Sequence, residues 1–185
     1  MLYTGKGDVG TTKTLTQKPG ERISKASCQT EALGTLDELN AYLGVCKVKA
    51  RDCVWHAYGM SLSQMVGQAQ QNLFIIQAEV AGSDKKIKPS KVGEIEVMVN
   101  EMERQMPPIH SFFVSGGTEL AAEFDVARTM ARRAEREVIR AIEAGEVVIS
   151  ENTRAYLNRL STLFYALARF SNFKAGITEE KPTYE

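Results

Sequence analysis

Metal-binding and disulfide chemistry have almost no material in this chain. Its 185 residues include three cysteines (Cys28, Cys46 and Cys53) and two histidines. The cysteines are odd in number and none forms a CxxC pair, which argues against a disulfide framework and a zinc site. Free thiols fit a reducing compartment. No ExxH motif occurs, so a di-iron carboxylate bundle would lack its ligands. Charge of one sign is also lacking. Lys plus Arg and Asp plus Glu each total 23, a formal net charge of zero, which argues against a nucleic-acid binder working through bulk electrostatics. Nowhere do 18 apolar residues run together, and the opening MLYTGKGDVG holds no apolar signal-peptide core. The expectation is a soluble, cytoplasmic protein that binds neither membrane nor nucleic acid. Strand signals are weak and no internal repeat is present, while the length suffices for one domain with a substantial core.

What is present is helix, and its centre is Thr118 to Glu146, a near-continuous run of good helix formers. At 3.6 residues per turn, Leu120, Phe124, Ala127, Ala131, Ala134, Val138 and Ile142 share an apolar arc roughly 80° wide. Arg133, Glu137 and Arg140 lie opposite it, as charges on a surface helix should. Arg128 and Glu135 instead fall on the edge of the arc, between Phe124 and Ile139, and Arg132 lies one turn beyond Arg128 on the same flank. Charges pushed toward a buried face need partners. They form either a structural ion-pair network or a site for an anionic ligand.

Residues 1–26 are rich in Gly, Thr and Lys and have no helical or strand periodicity. Gly5 to Gly10 matches GxGxxG literally, but a dinucleotide fingerprint needs a strand before it and a helix after it. Here only four residues precede the match and Thr11-Thr12-Lys13-Thr14 follows. No Walker loop is present either. The remaining signal is chemical. Glycines free backbone amides to face phosphate oxygens, and Lys6, Thr11 and Thr12 add donors. The competing reading is a disordered tail.

Four further helices are expected. Leu33, Leu36, Leu39, Leu43 and Cys46 mark one over about 28–50, with Thr35 and Glu38 as a possible capping box and Asp37 and Asn40 as polar groups beside the apolar stripe. A second spans about 53–81, with His56 as an ordinary helix residue, and a charged linker follows it. Ser90 caps a third, which Pro107-Pro108 stops. The last, about 151–173, carries a core face and an opposite polar ladder of Asn158, Thr162, Tyr165 and Arg169, which suits a subunit or ligand contact. The loop between helices three and four, Ile109 to Gly117, holds two aromatics that either plug the core or wall a pocket. Residues 174–185 read as a frayed tail. The organisation is thus a segment 1–26, a helical domain 27–173 and a tail 174–185.

Taken together, four blocks resemble the PduO-type cobalamin adenosyltransferases. They are TxxGDxGTT (Thr4 to Thr12), Lys25 ahead of EAxGTLDELN (Glu31 to Asn40), FxxxGG with ARTxxRRAER (Phe112 to Arg136), and LNRLSxLxFxLAR (Leu157 to Arg169). The resemblance implies an all-α five-helix bundle, a homotrimer with active sites between neighbouring subunits, and transfer of adenosyl from ATP to reduced cobalamin. It assigns Thr4, Gly5, Lys6, Gly7, Asp8, Val9, Gly10, Thr11, Thr12 and Lys25 to the ATP phosphates. Arg132, Glu135, Arg136 and Asn158 complete the nucleotide site. Asp37 pairs with Arg128 across the corrinoid pocket, and Phe112 closes the lower face of the cobalt. Mg²⁺ is expected on the ATP phosphates, with no metal ligand from protein side chains. A flavin-dependent reductase and an adenosylcobalamin-dependent enzyme are the implied partners. The chain departs from the family at Gly5-Lys6, where the lysine is displaced by one position, at Ser115 in place of proline, and at Leu33 in place of tyrosine. The rival is a non-catalytic helical ATP-binding or scaffold protein whose Arg/Glu cluster is purely structural.

Overall fold

A computed structural model of the chain describes residues 3–15 and 17–184; Met1, Leu2 and Thr16 of the N-terminal segment and Glu185 of the tail lie outside the described residues. Five helices carry the structure: α1 (Cys28–Lys49), α2 (Leu62–Val80), α3 (Pro89–Gln105), α4 (Glu119–Glu143) and α5 (Glu151–Lys174). Two short antiparallel pairs accompany them, β1 (Thr11–Thr12) with β2 (Ile23–Ser24) and β3 (His56–Ala57) with β4 (Met60–Ser61). The expected all-α five-helix bundle is what forms. Among the described residues, no helix is long and apolar enough to cross a membrane.

Four helix starts follow one rule. Ser27, Ser61, Thr118 and Ser150 sit in extended backbone and accept the N–H of the residue three positions on, satisfying a donor the helix leaves free. Three expectations shift here. Thr35 is not a cap: α1 has already begun at Cys28, and the Thr35 hydroxyl donates to Ala32 O at 3.1 Å inside it. The second helix begins at Leu62, because residues 56–61 form a hairpin whose turn residues Tyr58 and Gly59 both take positive φ, 52° and 67°. His56 therefore lies on a strand and is exposed. Ser61 and Gln64 then make a full capping box. In α3 the cap is not Ser90. Pro89 opens the helix after Lys88, which offers no side-chain cap.

The core lies between α1, α4 and α5, with α2 against α1 and α3 against α5. From α4 it takes Phe124, Ala127, Ala131, Ala134 and Val138, buried as the sequence arc requires, while the arc's end members Leu120 and Ile142 are half-buried. Alanines at five buried positions (Ala121, Ala127, Ala131, Ala134 and Ala141) let α1 and α5 approach α4 closely, and Leu36, Leu39, Leu43, Leu160, Leu163 and Phe164 fill the space. Each such leucine contributes about 1.5–3 kcal/mol on burial.

The described parts of both terminal segments are docked. In the N-terminal segment β1 pairs with β2, Thr14 is buried, and Leu15 N–H donates to Ala81 O at 3.0 Å at the end of α2. The C-terminal segment is not frayed over 177–184. Ile177 N–H donates to Asn172 O at 2.9 Å, and Val114 N–H donates to Glu180 O at 2.9 Å. Glu179 pairs with Arg169 at 2.7 Å. The tail therefore lies along the loop that joins α3 to α4.

Candidate active site

The five arginines of α4 divide by partner. Arg133 pairs with Glu38 of α1, Arg140 with Glu137 at 2.7 Å, and Arg128 with Asp125 at 3.4 Å. Arg132 and Arg136 have no hydrogen-bond or ion-pair partner among the described residues, and both are exposed. The edge-of-arc charges thus resolve in two ways: part is an internal ion-pair network, and part is a pair of free guanidiniums. Glu135, also on this flank, accepts from Asn158 Nδ2 at 3.1 Å. Arg159 in turn donates to Asn158 Oδ1 at 2.7 Å and to Glu96 at 3.0 Å, which fixes the amide's orientation.

Arg128 and Arg132 stand beside a cavity of about 870 Å³, enclosed by the 109–115 loop, α4, α5 and the C-terminal segment. Phe112 is 79% exposed at its rim. It is a wall of this space and not a plug of the core. Phe113, half-buried, faces the Arg169 guanidinium at 5.6 Å. The loop is fixed by its glycines and by α5. A Cβ on Gly117, at φ 96°, would collide with Asn172 Oδ1, so no side chain fits there. Asn172 uses that oxygen to accept Thr118 N–H at 2.9 Å and its amide to donate to Gly116 O at 2.8 Å.

The polar ladder on α5 is only partly a surface. Asn158 and Thr162 are exposed and Tyr165 is half-buried, with Thr162 and Tyr165 on the cavity wall. Arg169 is 2% exposed, held by Asp125 at 3.1 Å and Glu179 at 2.7 Å. Loss of solvent pushes the Tyr165 phenol above its ordinary pKa, with Arg169 opposing.

Elsewhere the N-terminal segment forms its own cluster. Asp8 N–H donates to Gly5 O at 3.2 Å and Gly10 N–H to Gly7 O at 3.1 Å, a pair of tight turns. Lys25 lies over them: its Nζ would be 3.1 Å from a Cβ on Gly7, and its N–H donates to Gly10 O at 2.9 Å. Arg22 clamps Thr11, donating to its hydroxyl and to its carbonyl, each at 2.7 Å. Thr12 and Asp37 border a second cavity of about 580 Å³, together with Leu33, Gly34 and Phe74.

The predicted site residues therefore fall into two groups in one chain. Residues 4–12, Lys25 and Asp37 form one, and Phe112, Arg128, Arg132, Glu135, Arg136 and Asn158 the other. Among the described residues, no hydrogen bond or ion pair joins the groups. In particular Arg128 takes Asp125 as its partner within the chain, and Asp37, exposed on α1, does not reach it. Asp125, Arg169, Glu179 and Arg22 were not singled out for these roles from sequence. Asp125 reads as one more polar residue in the run before Arg128, and only the fold brings residues 169 and 179 to it.

Residues 2–171 match the family model described as cobalamin adenosyltransferase. Over 175 residues the chain is 37% identical to the corrinoid adenosyltransferase PduO of Salmonella typhimurium, covering 91% of this chain and 48% of that protein. It thus spans about half the length of the PduO relatives it matches. With the corrinoid adenosyltransferase of Bacillus subtilis it shares 31% identity over 192 residues, covering 95% of this chain and 89% of the relative. Among solved structures, a phenylalanine-to-histidine variant of a PduO-type ATP:corrinoid adenosyltransferase from Lactobacillus reuteri, complexed with cobalamin and ATP, superposes with a TM-score of 0.86 at 27% identity, over 100% of this chain and 97% of that one. An arginine-to-lysine variant from the same organism, complexed with ATP, gives 0.84 at 28% identity, over 98% and 100%. With the family model matched across nearly its whole length, the chain belongs to the cobalamin adenosyltransferase family.

Proposed function

We propose that this chain transfers the 5′-deoxyadenosyl group of ATP to cob(I)alamin, giving adenosylcobalamin and triphosphate. The observation that carries the reading is the pair of α4 arginines, Arg132 and Arg136, left without partners among the described residues on the helix that walls the 870 Å³ cavity. A purely structural network would use them, as it uses Arg128, Arg133 and Arg140.

In the reaction, the cobalt(I) electron pair forms the bond to C5′ while the C5′–O bond breaks, and its electrons leave on triphosphate. The protein's task is to meet that departing charge. Arg132 and Arg136, with Lys25, Lys6 and the N-terminal turns brought by a neighbouring subunit, would be the donors that meet it. No proton is transferred, so the chain needs no general base. Phe112 would stand against the lower face of the corrin and keep water from the cobalt, which favours reduction to cobalt(I). Mg²⁺ would ride on the triphosphate oxygens.

The division of the site residues into two groups supports a homotrimer in which Lys25 and Asp37 of one subunit complete the arginine face of the next, with Asp37 meeting Arg128 there. A flavin-dependent reductase would supply the reduced corrinoid, and an adenosylcobalamin-dependent enzyme would take the product. The test is an anaerobic assay with ATP and chemically reduced cobalamin. Cobalt(I) absorbance should fall with enzyme and ATP together; a rate equal to the enzyme-free control would overturn the reading.

A further inference from the structure

The large cavity is held in shape by buried charges that adenosyl transfer itself does not use. Arg169 donates through Nη2 to Asp125 Oδ2 at 3.1 Å and pairs through Nη1 with Glu179 Oε1 at 2.7 Å. Its guanidinium also faces the rings of Phe113 at 5.6 Å and Tyr165 at 5.3 Å. Asp125, 5% exposed, serves three groups at once. Besides Arg169 it accepts from Arg128 Nε at 3.4 Å and from Gly116 N–H at 3.4 Å. Two carboxylates thus balance two guanidiniums in a linear chain running from Glu179 of the C-terminal segment to Arg128. Asp125 and Arg169 are the buried members, and removing either leaves the other short of its buried counter-charge, so the two half-buried ends, Arg128 and Glu179, are coupled through this pair.

We propose that Asp125 and Arg169 are positioning residues for the transfer reaction, making Arg128, the Phe112 loop and the C-terminal segment one mechanical unit around the corrinoid side of the cavity. This rests on the corrinoid reading above. Phe112 is exposed at the tip of its loop, and an exposed ring excludes an axial ligand only if the loop beneath it does not yield. Gly116, four residues on, is where Asp125 and Asn172 grip that loop. Arg128 follows Asp125 by three helical positions, so the same carboxylate selects its rotamer. Neither Asp125 nor Arg169 touches Arg132, Arg136 or the N-terminal turns, so handling of the corrinoid should depend on the pair while ATP binding should not.

Two variants test this in the full chain. Asp125→Asn keeps the shape and removes the charge. Glu179→Gln acts from the outer end of the chain of charges and leaves no hole in the core. Amide hydrogen exchange reads the coupling without reference to chemistry: residues 112–118 and 177–184 should exchange together, roughly tenfold faster in Asp125→Asn and about threefold faster in Glu179→Gln. In assays that begin from cobalt(II) with a reductant, Asp125→Asn should lose at least about tenfold. Starting from pre-reduced cobalt(I) the loss should stay below about threefold, with the Michaelis constant for ATP within about twofold. Unchanged exchange at 112–118 in a folded Glu179→Gln would overturn the proposal, as would equal losses in both assays with a raised Michaelis constant for ATP. A wild-type chain inert toward cobalt(I) and ATP would defeat the transferase reading, and the exchange result would still decide the coupling. If Asp125→Asn does not fold, Glu179→Gln decides alone.

Discussion

An unpaired guanidinium on a helix that also carries paired ones is free to meet a ligand, and on α4 that distinction separates Arg132 and Arg136 from their neighbours. Replacing Arg132 with alanine should remove a charge-assisted contact to phosphate, about 1.5–3 kcal/mol, which is roughly ten- to hundredfold in ATP affinity. Its exposed position means that melting temperature should hardly move. Calorimetric titration with ATP and a thermal scan check both halves, and unchanged affinity would remove Arg132 from the nucleotide site. Phe112 makes the complementary case. Because 79% of it is exposed, Phe112→Ala should change stability by less than about 0.5 kcal/mol. Turnover from cobalt(II) with a reductant should fall far more than turnover from pre-reduced cobalt(I), since only the first requires the lower axial ligand to be kept away. Equal loss in both assays would deny Phe112 that role. By contrast Cys46, buried and pushed up to about 12 by loss of solvent, is a poor nucleophile and should resist thiol reagents in the folded chain.

At the scale of elements, the seam between α1 and α4 is where pH should act. Lys49 bridges Glu119 and Glu123 at 2.5 Å each, and the Tyr42 hydroxyl donates to Glu123. The hydrogen bond from Lys49, then that from Tyr42, holds the Glu123 carboxyl below its ordinary pKa. Hydrogen bonds to Glu119 and Glu123 raise Lys49, and burial followed by Glu123 raises Tyr42. The lowered carboxylate stabilises the fold above the unfolded value, and this is lost as pH falls below about 4. The raised phenol and amine stabilise it fully below about pH 10, and that contribution fades as pH climbs further. Thermal scans should therefore show melting temperature dropping at both ends, with Glu123→Gln flattening the acid limb. An acid limb of unchanged slope in that variant would place the linkage elsewhere. These helices were legible in sequence through their apolar period; the caps that start them, Ser27 and Thr118, were not read there. What was not legible is instructive. The hairpin at 56–61 hid inside a helical pattern because its turn needs positive φ at Tyr58, a residue that rarely takes it. Ser90 looked like a cap, yet Pro89 already had the fixed φ a first helical residue needs. The tail's docking depends on Arg169 and Glu179 meeting across the fold, and no local spacing announces that.

At the scale of the molecule, the site residues that the sequence motifs identify are all present, but one chain does not assemble them. Of the N-terminal group, Thr12 and Asp37 border the 580 Å³ cavity, whereas Arg128 and Arg132 border the 870 Å³ cavity. Closed rotational symmetry can join two different surfaces of identical subunits head to tail, and a ring of three would then contain three composite sites. Light scattering should give three times the chain mass at micromolar concentration. The sharper test uses two variants damaged on opposite surfaces, Lys25→Ala and Arg132→Ala. Each alone should be nearly inactive. Unfolded together, mixed in equal amounts and refolded, they should form rings in which some interfaces pair an intact Lys25 surface with an intact Arg132 surface. Random assortment makes each such match one half times one half, so activity should recover to about a quarter of wild type. If the site instead lay within one chain, every copy would retain one lesion, and mixing would restore nothing.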